Sequence, residues 1–426
     1  MLKGKIILSL FVMAMLVAPK AQADNALSLE QVYKHVINQN PQVQSYRARI
    51  MAAEGNRIQE GLMPNPEAVF EAENIGGDSP RNGFNSAEYT LGVEQQFEIA
   101  GKRGKREQVA SLEKQQVSQD SLARVQAILA QSKAAYMRVA IAQERVALAD
   151  KRVALAGKTH TTVKKRINAA KAADIQHTKA DLEVSAAEVE QRKAQNEWEL
   201  AKVSLANLMG LPAINQNILA DLNAVPDVPE REAIMQALEQ TPMSVMSELS
   251  VMREASELDL ARANGVPDPT FGLGVRRYNE DDGTAFLASV SIPLTIFDRN
   301  QGRVAEAKAN LLAAEADQKA LRLNLERQAM ELWQTLTSAR EEVLAYQNGL
   351  LPSAQKAYSQ AEDGYDRGAF TFLDYLDAQR TLFDTQESHL EALGNFYEAK
   401  AQMDMLGGEY AHIAATAFDQ NTQIEE

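Results

Sequence analysis

Residues 62–76 read LMPNPEAVFEAENIG, and residues 265–278 read GVPDPTFGLGVRRY. Each stretch places a Pro-x-Pro turn directly before a short run of alternating residues. Proline ends a preceding helix and holds the residue before it in an extended conformation, and alternation is typical of a strand with one apolar face. Both stretches therefore predict a change from helix to strand. The residues predicted at these transitions are Pro64, Pro66, Pro267 and Pro269.

A second strand candidate follows each of these runs. Alternation extends over residues 89–94 in the first case and 286–294 in the second, and the polar stretches GGDSPRNGFNS and NEDDGT separate the paired candidates. Four strands are too few to close a barrel, and in lipid every backbone group must be paired, so a spanning sheet has to close. The sequence therefore predicts that several copies of the chain share one membrane barrel.

Most of the remaining chain has the pattern of long helices. Residues 101–166 contain no proline, and within them apolar or small residues recur at alternating three- and four-residue spacing over 122–153. The same spacing continues over residues 180–208. This period is typical of helices that pack as coiled coils. About sixty-five helical residues would form a rod of roughly 100 Å. Further helices are predicted from about residue 300 past 346 and over 372–406.

The two halves of the chain repeat one plan, which indicates an internal duplication. The matched positions include Asn40-Pro41 with Thr241-Pro242, Tyr136 with Trp333, and Asp174 with Asp374. The predicted organisation is a signal peptide (1–23), a first repeat of helix, two strands and long helical hairpin (24–211), a linker (212–228), a second repeat (229–408) and a C-terminal tail (409–426).

Composition and the first residues exclude several classes of protein. Lys3 and Lys5, an apolar run over residues 6–17 and Ala21-Gln22-Ala23 predict a secretory signal peptide. The alternative is a membrane anchor, for which the apolar run is short. The 426 residues contain no cysteine, which excludes a disulfide framework and a thiolate site. A net charge of −14 without a basic block argues against a nucleic-acid partner. No nucleotide-binding loop, nucleophile elbow or HExxH motif occurs, so we expect neither an enzyme nor a cofactor.

The chain resembles the outer-membrane factors, the TolC-like exit ducts, over essentially its whole mature length. The resemblance rests on the duplicated plan and on four stretches: PNPEAVFEAE (64–73), QQFEIAGKRGKR (95–106), SIPLTIFDRNQGR (291–303) and GAFTFLDYLDAQRTLFDTQ (368–386). Within the family, FEIAGKRGKR is most similar to the heavy-metal branch, the cobalt–zinc–cadmium or copper–silver type of RND efflux.

The resemblance implies a mainly α fold with a small β part. Duplicated long coiled-coil hairpins would form a trimeric α-barrel, and four strands per chain would contribute to a shared 12-stranded transmembrane β-barrel. It implies a homotrimer in contact with outer-membrane lipid, whose periplasmic tunnel docks on a periplasmic adaptor (membrane fusion) protein and an inner-membrane RND pump. The function then expected is passive export of heavy-metal cations.

Relatives place carboxylates at positions matching Asp374 and Asp377, where they ring the closed periplasmic end of the tunnel. Three copies of both side chains would favour cations and resist full ionisation. The simpler alternative is that these acids favour the helix dipole. Some relatives carry an arginine that forms part of a latch at the position of Phe370, so the resemblance does not indicate how the closed state is latched here. The hairpin turns would meet the adaptor, and the residues named for them are Arg166, Asp174, Gly364, Arg367 and Gly368.

Charged and metal-ligating residues add three weaker expectations. The histidines form no cluster in sequence, so we expect no metal site, although His160 and His177 could meet across the first hairpin. Basic residues after the second strand lie either near lipid phosphate or in solvent. Glutamates near the first two strands would face a polar lumen. The basic residues are Lys102, Arg103, Lys105 and Arg106. The glutamates are Glu71, Glu73, Glu94 and Glu98.

Three alternatives stay open on the sequence alone. An outer-membrane duct of this kind could serve multidrug efflux or type I protein secretion instead of metal export. Helical hairpins also occur in soluble periplasmic coiled-coil adaptors and structural proteins, although adaptors do not split their β-domain symmetrically between two repeats. An adhesin-like rod would share the long helices and would need no pore.

Overall fold

In the computed structural model, the structure describes residues 26–77, 84–170 and 172–419. The predicted signal peptide lies outside the described residues, as does part of the first turn between strands. The strands are β1 (Glu67–Glu73), β2 (Glu88–Gln96), β3 (Thr270–Tyr278) and β4 (Thr284–Ser291). The helices are α1 (Leu29–Gln39), α2 (Pro41–Glu60), α3 (Lys102–Asn168), α4 (Asp174–Leu208), α5 (Arg231–Ala237), α6 (Pro242–Asn264), α7 (Gln301–Ala345), α8 (Leu351–Asp366), α9 (Phe372–Leu406) and α10 (Ala411–Asp419), the last within the predicted tail.

The helix that leads into the sheet begins in the same way in both halves. The Asn40 side chain accepts hydrogen bonds from the backbone N–H groups of Gln42 (2.8 Å) and Val43 (3.4 Å) at the start of α2. The Thr241 hydroxyl accepts one from the backbone N–H of Ser244 (3.3 Å) at the start of α6. Proline follows each cap at the first helical position, where its missing N–H costs nothing. The predicted match of these two sites is thus a match of capping geometry.

The long helices have the predicted seven-residue spacing. Helix α3 has 67 residues, and α4 and α9 have 35 each. Buried alanines follow one another at seven-residue steps along α4: Ala180, Ala187, Ala194 and Ala201. This spacing keeps one seam of small side chains facing the packing surface. Among the described residues, no helix combines the length and the apolar character needed to cross a membrane.

Helices α7 and α8 of the second half correspond to α3 of the first half, but a π-helical segment, Tyr346–Leu350, lies between them. Helix α3 has no such interruption. Buried Leu336 and Ala354 in the second half match buried Val139 and Ala156 in the first. The segment between the two buried residues is one residue longer in the second half. A π turn holds one residue more than an α turn, because its hydrogen bonds span i to i+5. The π segment therefore takes up the extra residue.

The element bounds correct one predicted match between the halves. Helices α4 and α9 have the same length, and Asp174 opens α4 whereas Phe372 opens α9. Asp174 therefore corresponds to Phe372, and Asp374 corresponds to Gln176. The match of Asp174 with Asp374 is wrong by two positions, because two acids near helix starts look alike in sequence.

The strands form one antiparallel sheet in the order β1-β2-β3-β4. Its register places apolar side chains side by side in two rows across all four strands, Phe70–Leu91–Val275–Phe286 and Ala68–Val93–Leu273–Ala288. Phe70, Leu273 and Phe286 are 68%, 72% and 88% exposed in the single chain. An exposed apolar face of this extent marks a membrane or protein contact. Strand β4 ends before the predicted residue 294, since Pro293 has no N–H to donate.

The opposite face of the sheet is polar, but its charges are partly paired. The Arg276 guanidinium lies 2.7 Å from the Glu73 carboxylate and 2.9 Å from that of Glu88. Glu98 lies beyond the end of β2 and pairs with Arg106. Glu73 and Glu98 are therefore not the free lumen carboxylates that the sequence predicts.

The chain divides into two compact units. Unit 1 consists of the described residues up to His35, Ser132–Val225 and Ala345–Gly394, and unit 2 consists of Val36–Gln131, Pro226–Leu344 and the residues from Asn395. Unit 1 contains the ends of both helical hairpins, and unit 2 contains the sheet. In unit 1 the buried Tyr136 hydroxyl donates to the Leu219 carbonyl (2.6 Å). In unit 2 the matched Trp333 donates to the Pro229 carbonyl (3.0 Å).

Candidate functional site

An aromatic cluster fills the hairpin end of unit 1. Tyr365 near the end of α8 stacks on Tyr375 of α9, with ring centroids 5.4 Å apart and planes 15° apart. Phe372 lies 5.6 Å from Tyr365, and Tyr358 lies 6.0 Å from Tyr375. The Tyr375 hydroxyl reaches Thr159 of α3 at 3.0 Å. The second hairpin is thus packed onto the first by rings that each bury a large apolar area.

Arg166, which the sequence analysis assigns to the adaptor-docking tip, packs against Tyr365 of the aromatic cluster. Its guanidinium donates to the Tyr365 carbonyl (2.9 Å) and lies 4.3 Å from the centre of the Tyr365 ring. A cation over a ring face is attracted by the ring quadrupole. Arg166 therefore joins the two hairpins, and only the remainder of its surface is open to a partner. Asp174, at the start of α4, is exposed.

Asp374 caps its own helix. Its carboxylate accepts hydrogen bonds from the hydroxyl (2.6 Å) and the backbone N–H (2.8 Å) of Thr371, whose hydroxyl in turn accepts from the Asp374 N–H (3.2 Å). This reciprocal pattern is a capping box. The hydrogen bonds from Thr371 lower the pKa of Asp374, which keeps it ionised. Asp377, one turn on, is exposed and makes no ion pair with any residue that the structure describes.

The turn between α8 and α9 depends on two glycines. The Phe370 ring packs directly on the backbone of Gly364, where an added Cβ would overlap the ring. Gly368 has a φ of +77°, a conformation that side-chain-bearing residues avoid. Arg367 stays at its own helix end, donating to the Asp363 carbonyl (3.2 Å). Phe370 therefore serves as a packing contact for Gly364 at this turn.

Two histidines and an aspartate meet where α3 and α4 run side by side. His160 Nε2 and His177 Nδ1 each lie 3.0 Å from a different oxygen of Asp181. The potential ligand atoms of all three lie within 4.8 Å of one another. Sequence reasoning pairs the two histidines but misses Asp181. The available signal is the i, i+4 spacing of His177 and Asp181, which places both on one helix face.

The four transition prolines lie in unit 2, where the structure changes from helix to strand. Pro64 and Pro66 stand between the end of α2 and the start of β1. Pro267 and Pro269 stand between α6 and β3. The two turns thus lie at equivalent places in the two halves, as the sequence predicts from proline's fixed backbone angle.

A buried ion pair links the second of these turns to the start of α3. Lys102 Nζ lies 2.7 Å from the Asp268 carboxylate, and the two side chains are only 8% and 9% exposed. The same carboxylate accepts from the Ile99 N–H (2.9 Å), and the Phe97 N–H donates to the Pro269 carbonyl (2.9 Å). The turn of the second half therefore holds the strand-to-helix junction of the first half.

Two of the four basic residues that the sequence analysis places near lipid phosphate or in solvent form ion pairs with carboxylates of the chain instead. Lys102 is in the buried pair with Asp268, and Arg106 pairs with Glu98 and with Glu60 (3.2 Å). Lys102 is too buried to meet a lipid headgroup, so the lipid-phosphate interpretation is wrong for this residue. The charge of Arg106 is already compensated by the two carboxylates.

Comparison with known proteins identifies the class of molecule to which these elements belong. The family model described as "Outer membrane efflux protein" matches residues 32–211 and 233–409. The chain belongs to the outer membrane efflux protein family. It is 30% identical to the cobalt-zinc-cadmium resistance protein CzcC of Cupriavidus metallidurans over 389 residues, which cover 91% of each chain.

Solved structures of similar fold include outer-membrane channels. A CusC structure matches with a TM-score of 0.75 at 17% identity, covering 90% of this chain and 91% of its own. The outer membrane protein VceC of Vibrio cholerae matches with a TM-score of 0.73 at 19% identity, covering 89% and 96%. The predicted fold class, family and outer-membrane location are confirmed. Membership of the outer membrane efflux protein family also selects a channel over the soluble adaptor and the rod.

Proposed function

We propose that the chain is the exit duct of a tripartite RND-type efflux system and passes heavy-metal cations to the exterior. One observation carries the choice of cargo: the similarity to CzcC, named a cobalt-zinc-cadmium resistance protein, extends over nine-tenths of both chains. In this proposal a homotrimer spans the outer membrane. Its two repeats per chain build a periplasmic tunnel that meets an adaptor and an inner-membrane pump.

The sheet supports the proposal of a shared barrel. Strands β1 and β4 each pair on one side only within the part of the chain that the structure describes. Unpaired strand edges are satisfied by another strand, and in lipid they must be. Copies of this chain offer those strands, because β4 of one copy and β1 of the next present complementary edges and continue the same apolar rows. The exposed apolar face would then meet lipid.

The cargo is tested in a strain that lacks the gene for this chain. We expect the minimal inhibitory concentration of zinc, cadmium or cobalt to fall by more than one dilution step, and the chain supplied on a plasmid to restore it. Copper, silver and common drugs are assayed in parallel. A strain that loses only drug resistance would contradict the proposed cargo and favour multidrug efflux.

We further propose that Asp374 and Asp377 form a cation-selective ring at the periplasmic end. Both carboxylates are exposed at the start of α9. Replacing both by asparagine is expected to lower the cation-to-anion permeability ratio in planar bilayers. The change should be larger at 0.01 M salt, where the Debye length is about 30 Å, than at 1 M, where it is about 3 Å. Asparagine keeps a side-chain oxygen that can accept the hydrogen bonds from Thr371. A change in selectivity would therefore not result from unfolding of the helix start.

Asp384→Asn is the matched control for the ring. It removes an exposed carboxylate from the same helix, about two to three turns beyond the proposed ring. We expect its permeability ratio to stay that of the unchanged channel. If the two changes lower selectivity equally, the effect belongs to general surface charge, and Asp374 and Asp377 form no gate.

A further inference from the structure

We propose that His160, His177 and Asp181 form a binding site for a divalent transition-metal ion such as Zn²⁺ or Co²⁺, between α3 and α4 of unit 1. The inference goes beyond the proposed function, because a resident ion at this position does not depend on what the channel exports. It also replaces the sequence-based expectation of no metal site.

The geometry brings three ligands together from two helices. His177 and Asp181 stand one turn apart on α4, and His160 approaches from α3. The imidazole rings are 5.0 Å apart between centroids, with planes at 61°. All three ligand atoms lie within 4.8 Å of one another. Small side-chain rotations would bring each atom to the roughly 2.0–2.2 Å at which Zn²⁺ binds imidazole and carboxylate.

His177 Nδ1 is a buried nitrogen without a satisfactory protein partner. It is shielded from solvent and makes no properly aligned hydrogen bond, although it lies 3.0 Å from the Asp181 carboxylate. Buried polar atoms are normally satisfied, and an unpaired one points to a missing water or ion. A metal ion held between the two rings and the carboxylate would satisfy this nitrogen.

The donor set determines the class of ion. Two neutral imidazoles and one carboxylate suit Zn²⁺, Co²⁺ or Ni²⁺, whereas Mg²⁺ and Ca²⁺ prefer oxygen ligands alone. Three protein ligands leave a fourth tetrahedral position for water or an exchangeable group. The side chains of His160, His177 and Asp181 are 28%, 39% and 56% exposed, so an ion has access. Within the described residues, these are the only histidine and acidic side chains that converge as a group of three.

The site is tested with the full chain, purified in detergent with any affinity tag removed and treated with chelator. Co²⁺ is titrated while its visible d–d absorption is recorded, and Zn²⁺ is then added as competitor. We expect one equivalent of Co²⁺ per chain to give an intense four-coordinate spectrum that Zn²⁺ abolishes. Failure of the unchanged protein to bind this equivalent would overturn the proposal.

Substitutions test whether the bound ion is held by His160 and His177. His160→Ala and His177→Ala should each lose the tetrahedral spectrum, while far-ultraviolet circular dichroism remains unchanged. His412→Ala, which removes an exposed histidine from α10, should keep it. Undiminished binding in the double variant His160→Ala/His177→Ala would refute the site. Because these readouts use purified protein, their failure is distinct from a failure of the metal-resistance test in cells.

Discussion

Asp268→Ala is expected to lower the free energy of unfolding by about 3–5 kcal/mol, the range measured when one partner of a buried ion pair is removed. The change leaves the Lys102 ammonium, whose side chain is 8% exposed, without its counter-charge. It also removes the acceptor for the Ile99 N–H. Denaturant unfolding of the detergent-solubilised protein, followed by circular dichroism, measures the loss.

A control variant separates burial from charge. Glu326→Ala breaks the i, i+4 pair with Arg322, whose side chains are 75% and 42% exposed, and should change the free energy of unfolding by less than about 0.5 kcal/mol. Lys102→Met with Asp268→Leu should recover most of the loss, since no charge then stays buried. Equal effects of Asp268→Ala and Glu326→Ala would contradict the structural role of the buried pair.

The same pair predicts a dependence on pH. Burial raises the pKa of Asp268, but hydrogen bonds from Lys102 and the Ile99 N–H outweigh it, so the pKa is lowered overall. A lowered folded-state pKa stabilises the fold fully above the unfolded value of about 3.9, and the contribution is lost as pH falls through the folded value. The difference between the unchanged protein and Asp268→Ala should therefore shrink below about pH 4.

Tyr375→Ala is expected to destabilise the hairpin end of unit 1 by about 3–5 kcal/mol, as large-to-small changes of buried aromatic residues do. Tyr375 is 5% exposed and carries the stacking contact with Tyr365. Amides at the end of α8 and the start of α9 should exchange hydrogen faster. If the proposed gate lies there, the channel should also open more often in planar bilayers.

Tyr375→Phe is the matched control. It keeps the ring and removes only the hydroxyl that reaches Thr159 at 3.0 Å, a hydrogen bond worth about 0.5–1.5 kcal/mol. Its hydrogen exchange should lie between that of the unchanged protein and that of Tyr375→Ala. Indistinguishable exchange in the two variants would mean that ring stacking does not hold the hairpins together.

Periodicity made the elements and their faces predictable. Alternation identifies all four strands, and seven-residue spacing identifies the long helices, because both depend on which side chains one segment must bury. Sequence reasoning does not find the partner of Lys102. Cations after a strand look like solvated charge until the chain's second Pro-x-Pro turn, more than a hundred and fifty residues away, supplies Asp268.

The candidate sites were predictable only where they depend on residues close together in the sequence. Asp374 and Asp377 stand out by their position at a helix start, which is local information. Asp181 joins His160 and His177 only because two antiparallel helices settle in one particular register. The register depends on the packing of residues such as Val163 and Ala180, which are buried together, and no spacing rule within either helix specifies it.

The π-helical segment Tyr346–Leu350 has a consequence for how the two halves diverged. A residue added to a uniform α-helix would rotate every later side chain by about 100° and bury the wrong face. Here the wider turn absorbs the addition at one place. Ala354 and Ala361 consequently stay buried at the positions that match Ala156 and Val163. A duplicated gene could thus gain a codon in the middle of a helix and still encode the ancestral interior.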